Sequence, residues 1–177
     1  MWKRVVLAAV VAGALMNLES VPAAAAPAMT DWNWLIVADG PTAVDEREAV
    51  VRALRLLSAL PARVAIIDAE RARPGVKETL LRLDAFVVKG RTEVYIVRQS
   101  PLLHCAIRRE PLCTHALAAV VWHEMAHVDG ADEREARKRE EGQWTAFIRD
   151  QQVDPVAALR YLDAMVQRPD DYLLASR

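Results

Sequence analysis

The amino-acid sequence predicts a single α+β domain in which a small, mostly antiparallel sheet packs on helices, one of them buried. Three observations lead to this fold class. The chain has 177 residues, of which 53% are hydrophobic and 27% charged, a balance typical of one globular domain. Two short apolar runs flank Gly90, and several longer segments carry apolar residues at helical spacing. No repeat or low-complexity linker follows residue 26, so nothing predicts a second domain.

The first residues have the pattern of a secretory signal peptide. Basic residues begin the chain, an apolar run extends from Val5 to Leu18, and small residues come next. The run is shorter than the roughly 20 residues of a spanning helix. We therefore expect residues 1–26 to be removed and residues 27–177 to form the domain, with an uncleaved membrane anchor as the alternative. The mature chain is then secreted or periplasmic and has no stable membrane span.

The charge pattern argues against a nucleic-acid partner. Formal net charge is -1, and basic residues are interspersed among acidic ones. Proteins that neutralise phosphates usually carry a clustered basic surface. No such cluster is visible in the sequence.

Cys105 and Cys113 are the only cysteines, and we expect them to form a disulfide. Export would place them in an oxidising compartment, where thiols pair. Closing so short a loop stabilises a fold by roughly 2 to 3 kcal/mol on the chain-entropy estimate. Two alternatives are a Cys2His2 metal site completed by His104 and His115, and a pair of free buried thiols.

The first two predicted elements are a short strand and an amphipathic helix. The segment Trp32 to Val37 is apolar and leads into a turn cluster that begins at Asp39. Thr42 followed by Asp45 resembles a capping box, and apolar residues then recur at helical spacing until Pro61.

The middle of the chain is predicted to form a buried strand, a helical turn and a β-hairpin. Residues 63–68 are rich in branched apolar side chains, which favours a strand. A helical turn is expected over residues 76–83. The runs 84–89 and 93–98 flank Gly90 and predict the two strands of the hairpin.

Three helices are predicted in the C-terminal part. Thr114 is a suitable N-cap for a helix over residues 115–128, which Gly130 ends. A second helix is expected over residues 132–150. A third, which an Asp-Pro pair opens, should cover residues 156–167.

The first of these helices contains the motif HExxH, as His123, Glu124 and His127. Residues four apart on a helix differ by about 40° in direction, so both histidines can place a ring nitrogen on one zinc ion. Glu124 lies about 100° around the helix, which suits a general base acting on a water held by the metal. A catalytic zinc site normally has three protein ligands, so one more is needed.

Helical periodicity selects Glu133 as that third ligand. If residues 132–150 are helical, Glu133 lies on the apolar face that should turn inward, whereas Glu135 falls about 200° away. Glu135 is therefore the runner-up. Asp129 is too close to His127 to reach the same metal easily, and we expect it to orient a ligand histidine from behind. Glu140 is a second candidate for that orienting role.

These residues resemble the zincin metallopeptidases over residues 115 to about 147. A glutamate ligand on the following helix is similar to the gluzincins, although their Asn-Glu-x-x-x-Asp pattern is missing. HExxHxxGxxE has the glycine spacing of metzincins, but no Met-turn is evident, since Met165 lies in a predicted helix. A minimal gluzincin-like protein is the best description. The resemblance implies a zincin-like fold in which residues 93–98 form the edge strand beside the substrate cleft.

The resemblance also implies an activity, which is zinc-dependent hydrolysis of a peptide or protein substrate. Glu124 would accept a proton from the attacking water and later give one to the leaving amine. The alternative is a catalytically silent zinc-binding domain that acts as a binding or structural protein. Zincins also use a side chain to stabilise the oxyanion, and the sequence leaves four candidates open: Tyr95, His104, His115 and Tyr161.

Overall fold

In the computed structural model, which describes residues 32–38 and 44–166, the described strands form one mixed sheet. The strands are β1 (Ile36–Ala38), β2 (Arg63–Ile67), β3 (Ala85–Val87) and β4 (Glu93–Val97). Their order in the sheet is β1-β2-β4-β3. β1 pairs with β2 and β2 with β4 in parallel, whereas β3 pairs with β4 antiparallel.

The sheet confirms the predicted hairpin but corrects the prediction that it is mostly antiparallel. Phe86 faces Tyr95 across the antiparallel pair, as a hairpin requires. The other two pairings are parallel: before β2 the chain passes through a helix over residues 44–54, and before β4 the antiparallel strand β3 returns the chain to the end of the sheet where β2 begins. The α+β class is confirmed, and the strand directions are not.

The expected edge strand is also corrected. β4 is an interior strand, since it pairs with β2 on one side and β3 on the other. Val94, Ile96 and Val97 of β4 are all fully buried, which is typical of a central strand. β3 instead lies at the edge of the sheet, next to the HExxH helix.

The helices of the N-terminal part are short. They are α1 (Trp32–Leu35), α2 (Val44–Leu54) and α3 (Val76–Leu80), with a 3-10 turn at Ala69–Arg71. The strand expected from Trp32 begins only at Ile36, because the four residues before Ile36 form a helical turn. The predicted turn at Asp39 and the cap at Thr42 lie outside the described residues.

The C-terminal part consists of α4 (Pro101–Ile107), α5 (Pro111–Val128), α6 (Glu133–Arg149) and α7 (Pro155–Val166). α4 falls between the predicted hairpin and the helix predicted over residues 115–128, a segment for which no element was predicted, and Ser100 caps it by accepting hydrogen bonds from two backbone N–H groups. α5 begins four residues earlier than predicted. Pro111 occupies its first turn, where a missing N–H costs nothing, so Thr114 is not the N-cap.

α5 is the buried central helix that the sequence predicts. Its buried side chains pack against the core face of the sheet, α4 and α6. From α6, Trp144 and Phe147 enter the same core, and their rings meet edge to face. Every described residue belongs to one compact unit. Among the helices described, none is both long and apolar enough to span a membrane.

Cys105 of α4 and Cys113 of α5 lie at disulfide-bonding distance, with Cα atoms 5.7 Å apart. The predicted pairing therefore joins the start of the HExxH helix to the helix before it. With the two sulfurs joined, they are not available for a Cys2His2 site. His104 and His115 have other partners, the carbonyl oxygens of Arg98 and Pro111.

Gly130 and Gly142 should respond to alanine substitution in opposite directions. Gly130 has φ +90°, which strains any L side chain, whereas Gly142 lies inside α6 with open space around its Cα. We expect Gly130→Ala to destabilise the fold by about 1 to 2 kcal/mol and Gly142→Ala to stabilise it by up to about 1 kcal/mol. Urea unfolding of both variants measures this, and equal effects would contradict the turn geometry.

Candidate metal centre

Two consecutive helices and the tight turn between them bring the predicted ligands together. α5 carries His123 and His127 on one face in its last two turns. Gly130 adopts the left-handed conformation that ends the helix and lets the chain reverse. Asp132 then caps α6 by accepting a hydrogen bond from the Glu135 backbone N–H, so Glu133 is the first residue of α6.

Three side-chain atoms converge at this turn. His123 Nε2 and His127 Nε2 are 3.2 Å apart. Glu133 Oε2 lies 3.3 Å from His127 Nε2 and 3.6 Å from His123 Nε2. Ligand atoms about 2.0 to 2.2 Å from a tetrahedral zinc would lie about 3.3 to 3.6 Å from one another. The group therefore has the size and the donor types of a zinc site.

Each histidine is oriented by a hydrogen bond from Nδ1, the ring nitrogen that does not face the group. His127 Nδ1 is 3.0 Å from the Ala131 carbonyl oxygen, which can only accept, so Nδ1 donates. His123 Nδ1 is 3.0 Å from Glu140 Oε2 and donates to that carboxylate. In the neutral rings both Nε2 atoms then carry lone pairs. Two lone pairs and a carboxylate oxygen this close require a proton or a metal cation between them.

The acidic and basic groups of the site perturb one another strongly. Burial alone would lower the pKa of His123, but hydrogen bonds to Glu133 and Glu140 outweigh it and raise that pKa to about 10. The hydrogen bond to Glu133 raises the pKa of His127. In turn, hydrogen bonds from both histidines hold the pKa of Glu133 well below its usual range. Before a metal binds, the group therefore retains a proton at neutral pH.

Glu124 is half-buried beside this group without being one of its three converging members. Burial raises the pKa of its carboxyl to about 7, although the positive charges of His123 and His127 act in the opposite direction. A carboxylate with a pKa near neutrality can both accept and return a proton. Its environment is that expected of the predicted general base.

Glu140 is the deepest acidic group of the site. It is 4% exposed, and burial raises the pKa of its carboxyl against the hydrogen bond from His123. Its Oε2 bonds to His123, whereas Oε1 is buried without a hydrogen-bond partner among the described residues. The predicted contact between Glu140 and a candidate ligand histidine is thus present. Trp144, one turn later on α6, likewise has a buried indole N–H without a described partner.

The structure separates the remaining sequence candidates from the ligand group. Glu135, the runner-up, is exposed and lies outside the group. The prediction for Asp129 is wrong, because its carboxylate pairs with Arg139 at 2.9 Å and the Ala131 carbonyl orients His127 instead. A backbone carbonyl leaves no mark in a sequence pattern, so this contact could not be predicted.

The four candidates for oxyanion stabilisation have other contacts. The ring of Tyr95 stacks on Phe86, and that of Tyr161 packs against Trp144. His104 and His115 hydrogen-bond to backbone carbonyls, as described above. None of the four is a member of the converging group.

Sequence reasoning missed one charged neighbour of the ligands. Arg137 Nε donates to Glu133 Oε1 at 2.8 Å. The sequence contained a signal for this contact, since residues four apart on a helix meet and Glu133 precedes Arg137 by four.

Comparison of the chain with protein-family models, curated proteins and solved structures finds no match.

Loss of Glu133 should weaken zinc retention more than loss of Glu135. Glu133→Ala removes the only carboxylate of the converging group, whereas Glu135→Ala changes an exposed side chain one half-turn away. We expect apparent zinc affinity to fall at least about 10-fold for the first variant and to stay near the wild-type value for the second. Competition with a chromogenic chelator measures both. The reverse order would transfer the ligand role to Glu135.

Zinc binding should release protons near neutral pH. His123, with a pKa of about 10, is protonated before the metal binds, and a coordinated nitrogen cannot keep that proton. Apparent affinity should therefore fall as the pH is lowered. Calorimetric titrations in two buffers of different ionisation enthalpy count the protons. Binding at pH 7 without proton release would contradict the proposed ligand set.

Proposed function

We propose that this chain is an exported zinc-dependent metallopeptidase, in which His123, His127 and Glu133 hold the metal and Glu124 is the general base. The observation that carries the proposal is the convergence of two histidine nitrogens and one carboxylate oxygen within 3.6 Å of one another. Export is inferred from the signal-peptide pattern in residues 1–26, which lie outside the described residues. The cysteine pair at bonding distance is compatible with it.

A protein ligand set of three supports a catalytic rather than a structural metal site. Structural zinc sites usually have four protein ligands, whereas catalytic sites have three and leave one position for water or substrate. In the described part of the chain, the converging group has three members. A structural site would also have no use for a neighbouring carboxylate such as Glu124.

The residues of the site then have separate roles in hydrolysis. A bound zinc would supply a Lewis acid that polarises the substrate carbonyl and lowers the pKa of a water molecule. Glu124 accepts the proton of the attacking water and passes it to the leaving amine, as its pKa near neutrality allows. Glu140 and the Ala131 carbonyl hold the histidine rings so that their Nε2 lone pairs face the metal position.

A zincin-like arrangement is part of the same proposal. Its support is the order of elements: a buried helix with HExxH, a turn at Gly130, and a second helix that presents Glu133. β3, rather than residues 93–98, is the strand that can pair with an extended substrate, because it lies at the sheet edge beside α5.

Glu124→Gln should separate metal binding from hydrolysis. The amide keeps the shape of the side chain but cannot accept the proton, so we expect zinc content near one per chain and a loss of activity of at least about 100-fold. Metal analysis of the purified mature protein and a peptide-library assay, each with and without chelator, measure the two quantities. Glu135→Gln is the matched control, because it removes the charge of an exposed glutamate on the next helix.

Three outcomes of this experiment are informative. Unchanged hydrolysis in Glu124→Gln would reject the assigned base. A wild-type chain that binds zinc but cleaves no peptide would favour the catalytically silent binding domain. A wild-type chain that binds no zinc would contradict the proposal as a whole.

A further inference from the structure

The two oxygens of the Glu133 carboxylate have different partners. Oε2 faces the histidine nitrogens at 3.3 and 3.6 Å. Oε1 accepts the hydrogen bond from Arg137 Nε at 2.8 Å. The side chains of Glu133 and Arg137 are 23% and 30% exposed, so the contact is only partly shielded from water. The carboxylate is therefore divided between the ligand group and a guanidinium.

The division matters because a carboxylate can bind a metal through one oxygen or through both. A second oxygen from Glu133 would take the position that catalytic zinc sites leave for water or substrate. Arg137 competes for that oxygen. Its guanidinium stays charged throughout the accessible pH range, so the competition does not switch off.

We propose that Arg137 is a positioning residue that holds Glu133 as a one-oxygen ligand and thereby keeps one coordination position free of protein atoms. The inference rests on the proposed function, since it assumes a metal at the converging group. Stability alone gives little reason for the pair, because Glu–Arg contacts at this helical spacing contribute little when partly exposed. Its placement on the non-ligating oxygen is what gives it a role.

The chain offers a matched set of variants. Arg137→Met keeps an unbranched stem and removes the charge and the donor. Arg137→Lys keeps the charge but replaces the rigid planar donor with a flexible ammonium group. Arg134→Met is the control, because Arg134 is an exposed arginine on the same helix, outside the converging group.

The test is the visible absorption of the cobalt(II)-substituted protein, because four-coordinate cobalt absorbs more strongly and at longer wavelength than five-coordinate cobalt. Wild type and Arg134→Met should give the four-coordinate spectrum. Arg137→Met should bind one cobalt per chain with a weaker, blue-shifted band, and Arg137→Lys should lie between. Peptide hydrolysis by zinc-loaded Arg137→Met should fall about 10- to 100-fold.

The possible failures are distinguishable. Wild-type protein that takes up neither cobalt nor zinc overturns the proposed metal site itself. A wild-type spectrum in Arg137→Met overturns the role of Arg137 and leaves the site intact. Complete loss of cobalt from Arg137→Met also overturns it, since Arg137 would then retain the metal rather than set its coordination. If Arg137→Met does not fold, an unaltered spectrum in Arg137→Lys is the overturning result.

Discussion

The arrangement around Glu133, His123 and His127 depends on one constraint: lone-pair atoms held within 3.6 Å of one another repel unless a cation lies among them. Each candidate ligand makes a hydrogen bond through the side-chain atom that does not face the group. Glu140 and the Ala131 carbonyl accept hydrogen bonds from the two Nδ1 atoms, and Arg137 donates a hydrogen bond to the other oxygen of Glu133. Three outer contacts thus direct three inner atoms to one point.

The fold provides this geometry with very little chain. Packing of α5 between the sheet and α6 fixes the direction of both histidines, and the turn at Gly130 fixes the distance to the next helix. Glu140 is placed by the same helix that carries Glu133, two turns further on, while Trp144 and Phe147 anchor that helix in the core. The candidate ligands, their outer contacts and the core packing are therefore all provided by a single helical hairpin.

Local patterns in the sequence predicted this part of the structure well. The spacing of HExxH determined the histidine pair, and the apolar face of α6 distinguished Glu133 from Glu135. Both inferences depend only on helical geometry within one element. The failures are non-local. The parallel pairing of β4 with β2 and the central position of β4 depend on chain segments that are far apart in sequence. Periodicity within one segment does not report such pairings. The prediction that Asp129 orients a histidine was wrong because a backbone carbonyl, that of Ala131, makes this contact instead.

X-ray absorption at the zinc edge tests the central claim most directly, because it identifies the atoms bound to the metal. For the purified chain loaded with one zinc, we predict two imidazole nitrogens and one carboxylate oxygen, with a fourth light atom and no sulfur. Sulfur neighbours would place the metal at Cys105 and Cys113 instead. A single imidazole, or none, would mean that His123 and His127 do not act together, and the account would be contradicted.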